Sequence, residues 1–401
     1  MNMDFDAQQL LDQMMNGQQF LPDFCGYNFV LLDEQVEDIM LKTSDDFFRH
    51  CFGLEKLMVR CLIMELHKRT YDQNENGLCF DMSVLVTLSY LMGNMDLLLQ
   101  MEEFQSYYSS ATVKRCVKSI CQTIVYFLSP YYVRFPRSQK ELDSNKKEFL
   151  SKFGISGVVG VLDCHHVRLM NVPKYEEDLY LNKYSQGPTL TVQLISDKNH
   201  RFLDVNARFS GSTHASYIWD RSHINSMLKN FQKQDSFTWL LADRKYRSNE
   251  CLVIPYRKPV DKLQESVNFA MKETLYGGLK SFAILKARFR CLDTALPFDH
   301  ANACNVITAC VTLHNFLMEK GQNVEHNLAY NVMKETHFRN SSYPEELSPK
   351  AMENRKFIGN FMCNNSIQIL YKIRKETNLS FVGAPPIIAP PPMINTYEMA
   401  Y

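Results

Sequence analysis

Gly157-Val158-Val159-Gly160-Val161-Leu162-Asp163-Cys164-His165-His166-Val167 is the stretch whose reading decides the fold. Val158 to Leu162 is a short continuous apolar run, the pattern of a strand buried on both faces, and it runs into an acid. Thr189 to Ile195 alternates, Asp197-Lys198-Asn199-His200 reads as a turn, and Arg201 to Phe209 alternates again, so these two strands form a hairpin. Phe237-Thr238-Trp239-Leu240-Leu241-Ala242-Asp243 is another buried strand ending on an acid. The spacing then predicts helices over about 261–287 and 300–320, the second opened by Asp299 after Pro297. Strands first and helices after argue for one mixed α/β domain over 151–321.

Upstream, residues 43–150 read as helical. Phe47, Phe48, Cys51, Phe52, Leu54, Leu57, Met58 and Leu62 recur at three-and-four spacing, one apolar stripe on a helix. Asn74-Glu75-Asn76-Gly77 breaks the pattern, Val84 to Met92 resumes it, and a helix with Ser110 as its expected N-cap runs to about Leu128. Residues 1–42 form an acidic, Gln- and Met-rich segment. Residues 322–401 form an extension with one expected helix, Ser348 to Lys375, and a tail in which Pro385, Pro386, Pro390, Pro391 and Pro392 fall close together. No apolar run is long enough to span a bilayer. Lys+Arg and Asp+Glu both number 44 in the 401 residues, so coating nucleic acid by bulk charge is excluded and any such binding needs a local patch. The 12 cysteines contain no C-x-x-C pair and read as reduced, mostly buried thiols.

Asp163 and Asp243 are the candidate site. Each ends, or lies within, a run of aliphatic residues, where a carboxylate is costly unless a positive charge compensates it. Two such strands side by side bring the carboxylates together, and their repulsion calls for a cation. Mg²⁺ or Mn²⁺ suits oxygen ligands, and paired ions roughly 3.5–4 Å apart stabilise phosphodiester cleavage. The plainer reading of a strand-terminal Asp is a turn cap, and spacing alone leaves both open.

A run of ordered motifs separates these readings. Gly157 to Val167, Tyr180-Leu181-Asn182-Lys183 with Val192 to Asp197, Ser210-Gly211-Ser212-Thr213-His214, Leu240 to Tyr246 with Pro255-Tyr256, Leu285 to Leu292, and Cys310 to Asn315 follow one another in order. From about Phe47 to Gly321 the chain resembles the PIF/Harbinger transposases and the transposase-derived nuclease related to them, carriers of a DDE superfamily endonuclease domain. The resemblance implies an RNase H-like mixed-sheet domain preceded by a helix-turn-helix-like helical region. It implies a divalent-metal site of three acids, of which Asp163 and Asp243 match the first two. It also implies DNA as partner, recognition shared with a Myb-like protein, and a nuclear location. Leu91-Met92-Gly93-Asn94 and Ser110 to Arg115 occupy the helix-turn-helix-like positions.

The third acid is missing. The family places a Glu three residues before the Phe matched by Phe282, and Leu279 stands there. Glu273 lies six residues away, about 120° around a helix and roughly 9 Å along it, and cannot simply replace it. Cys164, Lys245 and Ala215 replace a glycine, a glycine and an aspartate of the family pattern, and Lys245 is expected to pair with Asp243 and compete with metal. The expectation is therefore a domesticated, catalytically impaired descendant whose metal site is weak or lost. The competing expectation is an active endonuclease with a third acid recruited from elsewhere, Asp204 or Glu273. Lys280, Lys286, Arg288 and Arg290 form a basic segment that suits phosphates or a solvated helix face, and Lys114, Arg115 and Lys118 could lie on a recognition-type helix. Cys164-His165-His166 offers only two ligands per strand face, too few for structural zinc. Cys310 and His314, one helical turn apart, read as core residues.

Overall fold

The computed structural model describes residues 32–69, 79–105, 109–182, 187–235, 237–322 and 349–376, with side chains to 362 in the last segment. The Asn74–Gly77 break, most of the acidic N-terminal segment and the proline-rich tail lie outside these residues.

The helical region comprises α1 (Glu34–Lys42), α2 (Asp45–Phe52), α3 (Lys56–His67), α4 (Phe80–Met92), α5 (Ser110–Phe127) and α6 (Gln139–Phe153). It begins at Glu34, ahead of position 43, because Val36, Ile39 and Met40 of α1 are buried with the other helices. The N-cap of α5 is Ser109, not Ser110: the Ser109 hydroxyl accepts from Thr112 N at 3.0 Å. Of two adjacent serines, the one whose hydroxyl reaches an orphan amide caps the helix. α6 has a full capping box, Ser138 and Glu141 bonding reciprocally to each other's backbone.

Next come β1 (Val158–Arg168), β2 (Thr189–Ser196), β3 (Phe202–Ser210), α7 (Ala215–Asp220), α8 (His223–Gln232), β4 (Trp239–Ala242), β5 (Leu252–Val253), α9 (Lys262–Arg288), α10 (His300–Glu319) and α11 (Pro349–Glu376). The sheet has the order β3-β2-β1-β4-β5. β1, β2 and β3 are antiparallel, whereas β4 and β5 run parallel to β1. An antiparallel hairpin beside a parallel half is the mixed sheet expected of an RNase H-like domain. β1 outruns its apolar run and pairs with β2 as far as Arg168.

The sheet is covered on both faces. Val167, Leu190, Val192, Leu194 and Phe202 join α1–α5 and α10 in one core. Leu162, Cys164, Ile195, Leu240 and Ala242 pack on α7 and α8. Val158, Val161, Trp239, Leu241 and Val253 pack on α6, α9 and α11. No helix among the described residues is long and apolar enough to cross a membrane.

Two contacts fix the long helices on the sheet. Gly278 lets α9 approach β1 closely: a Cβ there would lie 2.6 Å from Val161 Cγ1. The buried His314 of α10 donates from Nε2 to His200 O at 2.9 Å, and the neighbouring Asn315 accepts from Phe202 N at 2.9 Å and donates to Phe202 O and Tyr132 O. The Cys310 to Asn315 motif thus clasps the β2–β3 hairpin against the helical region, and His314 is a core residue.

Two outcomes are expected. Gly278→Ala should destabilise the fold by about 1 kcal/mol or more in urea unfolding, because overpacking outweighs the roughly 1 kcal/mol of helix propensity that alanine brings. Burial, and then the Arg288 charge, hold the His314 imidazolium down to about 3. The unfolded chain therefore takes up a proton near pH 6.5 that the folded chain refuses. Stability is complete above that pH and falls as pH drops toward 3, at up to about 1.4 kcal/mol per pH unit. Urea titrations from pH 7 to 5 should show this slope flattened in His314→Gln.

Candidate functional site

The site forms where β1 and β4 run side by side. Their parallel register pairs Leu162 with Ala242, so Asp163 and Asp243 follow next to each other. The Lys245 ammonium lies between them, 3.2 Å from Asp163 Oδ1 and 3.1 Å from Asp243 Oδ2. It also donates to Cys164 O at 3.4 Å, so its three N–H groups have three acceptors. A tight turn brings it there: Lys245 N donates to Asp243 Oδ1 at 2.9 Å and Tyr246 N to Asp243 O at 3.2 Å.

Asp163 is buried and its oxygens are taken up. Oδ1 accepts from Cys164 N at 2.7 Å as well as from Lys245, and Oδ2 lies 3.2 Å from His165 Nε2. An ionised carboxylate only accepts, so His165 Nε2 carries a proton and donates it. The His165 ring stacks on Phe282 of α9, centroids 3.9 Å apart and planes 14° from parallel. Burial alone would raise the Asp163 carboxyl, but Lys245 and then His165 outweigh it and hold it below the usual carboxylate range. Burial pushes Asp243 up, against the pull of Lys245. Burial opposes the charge on Lys245, and the two aspartates overcome that and raise it.

On the opposite face, Cys164 receives a hydrogen bond from Tyr246 Oη at 3.1 Å, and Gln193 Nε2 donates to Tyr246 Oη at 3.2 Å. Burial pushes the Cys164 thiol up to about 12, so it is a packed thiol rather than a thiolate ligand. His166 is exposed beside Thr189.

The other sequence candidates stand apart from this centre. Asp204 pairs with Ile195, and Ile195 pairs with Leu162, whereas Asp163 pairs with Leu194. Cross-strand partners share a face, so Asp204 lies on the α7/α8 side and Asp163 on the α9 side. Glu273 is nine residues before Phe282, about 180° around α9 from the ring that faces His165. Leu279 is half-buried, one turn before Phe282 on the part of α9 that crosses β1. Among the described residues, no group of three or more His, Cys, Asp or Glu is placed to hold a metal ion. A divalent cation does not fit the residues present, because an ammonium already fills the place between the carboxylates.

The basic segment is tied into the fold. Lys286 pairs with Asp293. Arg288 donates to His314 O at 3.3 Å and to Gln322 O at 2.5 Å. Arg290 donates to Met92 O at 2.8 Å and to Asn94 at the end of α4. Lys118 lies 3.6 Å from Asp299, the N-cap of α10. Sequence reading anticipated Lys245 against Asp243. It missed the His165–Phe282 stack, for which the alternation of β1, placing Asp163 and His165 on one face, was the available signal.

Comparison with known proteins bears on the family. Residues 162–315 match the DDE superfamily endonuclease family. The chain is 30% identical over 219 residues to the Homo sapiens protein named "Putative nuclease HARBI1", covering 54% of this chain and 61% of that protein. It is 27% identical over 215 residues to the Xenopus laevis protein of the same name, 53% and 60% of the two chains. It is 24% identical over 266 residues to "Protein ALP1-like" of Arabidopsis thaliana, 62% and 63% of the two chains. The chain thus spans about three fifths of the length of these curated relatives. No solved structure matches it at a significant level. With aspartates on adjacent strands of a mixed sheet and a family match that begins beside the first of them, residues 162–315 are similar to a DDE superfamily endonuclease domain, and the chain is similar over about half its length to proteins named putative nucleases.

Proposed function

We propose that this chain is a domesticated transposase-derived protein that keeps the DDE nuclease fold without cleaving DNA. It acts in the nucleus by binding DNA, a Myb-like partner protein, or both. The observation that carries this reading is the position of the acids. Two carboxylates meet where β1 and β4 run side by side, and both alternative acids point elsewhere, Asp204 through the far face of the sheet and Glu273 away from it, while the family resemblance sets Leu279 where a third acid would stand. In-line phosphodiester cleavage on two metal ions needs enough anionic oxygen to hold both cations and to orient attacking and leaving oxygens. Two carboxylates, one of them already saturated with donors, do not provide it.

The competing reading, an active endonuclease, needs a third acid beside Asp163 and Asp243. Nuclear location, DNA and the Myb-like partner rest on the family resemblance, and the balanced charge of 44 cationic and 44 anionic residues agrees with recognition being delegated to a partner. Arg288 and Arg290 serve as internal ties in this reading, so DNA contacts fall on other cations.

The test is a supercoiled-plasmid assay in Mg²⁺ and in Mn²⁺. The purified chain should nick no faster than its Asp163→Asn variant. Cleavage that Asp163→Asn abolishes would overturn the proposal.

A further inference from the structure

The two aspartates form a cation site that the chain itself fills. Asp163 comes from the middle of β1, and Asp243 from the residue after β4. Both are largely buried, with side chains 9% and 16% exposed. Two carboxylates brought together on adjacent strands in such a setting repel each other strongly unless a positive charge lies between them. A DDE domain uses divalent metal for this. Here the positive charge is the ε-ammonium of Lys245, at 3.2 and 3.1 Å from the two carboxylates, with Cys164 O as its third acceptor.

The placement is built by the local backbone. Lys245 is two residues after Asp243, and its own N–H is bonded to the carboxylate that its side chain also touches. The stem therefore has little freedom, and the ammonium is held at high effective concentration against any ion from solution. An incoming Mg²⁺ or Mn²⁺ would have to displace a tethered cation, not a water.

We propose that Lys245 is a covalently attached substitute for the divalent cation, and that its ammonium keeps closed a cation site whose ligands, Asp163 and Asp243, are still in place. The ion-pair hub between β1 and the end of β4 is metal-independent in the native chain and becomes metal-dependent when the lysine charge is removed. This goes beyond the non-cleaving reading and uses the same two aspartates, but it does not depend on the position of the third acid.

The probe is Mn²⁺ alone, with Mg²⁺ as second ion, read by thermal unfolding and by calorimetric titration on the full chain. The wild type should melt at the same temperature in EDTA and in millimolar Mn²⁺ and give no binding heat. Lys245→Ala should melt several degrees lower in EDTA, because two facing carboxylates lose their counter-ion. Millimolar Mn²⁺ should restore at least half of that loss, with binding about tenfold or more tighter than in the wild type. Adding Asp163→Asn to Lys245→Ala should abolish the restoration. Lys245→Arg keeps the charge and should stay insensitive to metal. If Lys245→Ala does not fold in EDTA, Lys245→Asn and the wild-type titration carry the same comparison. A wild type that gains as much from Mn²⁺ as the alanine variant overturns the proposal. So does a folded Lys245→Ala chain that ignores Mn²⁺, and that result leaves the non-cleaving reading standing. Asp163-dependent nicking by the wild type sinks that reading, while the melting curves decide this one on their own.

Discussion

Two carboxylates side by side on adjacent buried strands need a cation, and in this chain Lys245 provides it. The rest of the domain is arranged around that requirement. The parallel register of β1 and β4 makes the carboxylates neighbours. The turn after β4 returns the ammonium between them. α9 then covers the same end of the sheet with an aromatic ring, Phe282 against His165, rather than with an acid. Each element is cheap only if the others are present: the aspartates without the lysine repel, and the lysine without them is a charge in a largely apolar setting.

The motifs that make the chain resemble a nuclease divide into two groups once they are placed in space. Gly157 to Val167 and Leu240 to Tyr246 build the site. Leu285 to Leu292 and Cys310 to Asn315 build the frame. Arg288 holds the C-terminal end of α10, Arg290 holds the end of α4, and Asn315 holds both strand and helix backbone. A structural motif stays under selection for stability whatever happens to the chemistry, because a buried side chain that satisfies several backbone groups is expensive to lose. Recognisable frame motifs beside an altered site are therefore what a fold kept for binding would look like.

Much of this was legible in the sequence. The run into Asp163, the β2–β3 alternation and the run into Asp243 marked four strands, two of them the hairpin, because strands leave either unmixed apolar runs or period two. Asp299 after Pro297 marked α10 correctly. β5 is only Leu252–Val253, too short to leave a period, and α7 is barely longer than a turn. α6 is polar on most of its surface, so its start is clearer from the Ser138–Glu141 cap than from any stripe. At the site, proximity in sequence predicted the Lys245–Asp243 pair. The Lys245–Asp163 contact depends on strand register, and the His165–Phe282 stack joins β1 to a helix more than a hundred residues later. Neither is encoded locally.

In the proposed reading, the two departures from the family resemblance, Leu279 and Lys245, are linked by charge. Three carboxylates suit a pair of divalent cations. If Leu279 stands in place of one, as proposed, the remaining two would hold such cations less well, and a metal-free chain would carry two buried like charges side by side. A lysine two residues after the second aspartate removes that repulsion without depending on metal supply, and it does so from a turn whose backbone already points at the site. The lysine is also the more effective block to metal, since a cation from solution competes with a tethered one at every concentration. Loss of the third acid weakens the ground for metal binding. In that reading, gain of the lysine makes the metal-free state the stable one, and Asp163 and Asp243 persist with it as an ion-pair hub that supports the fold.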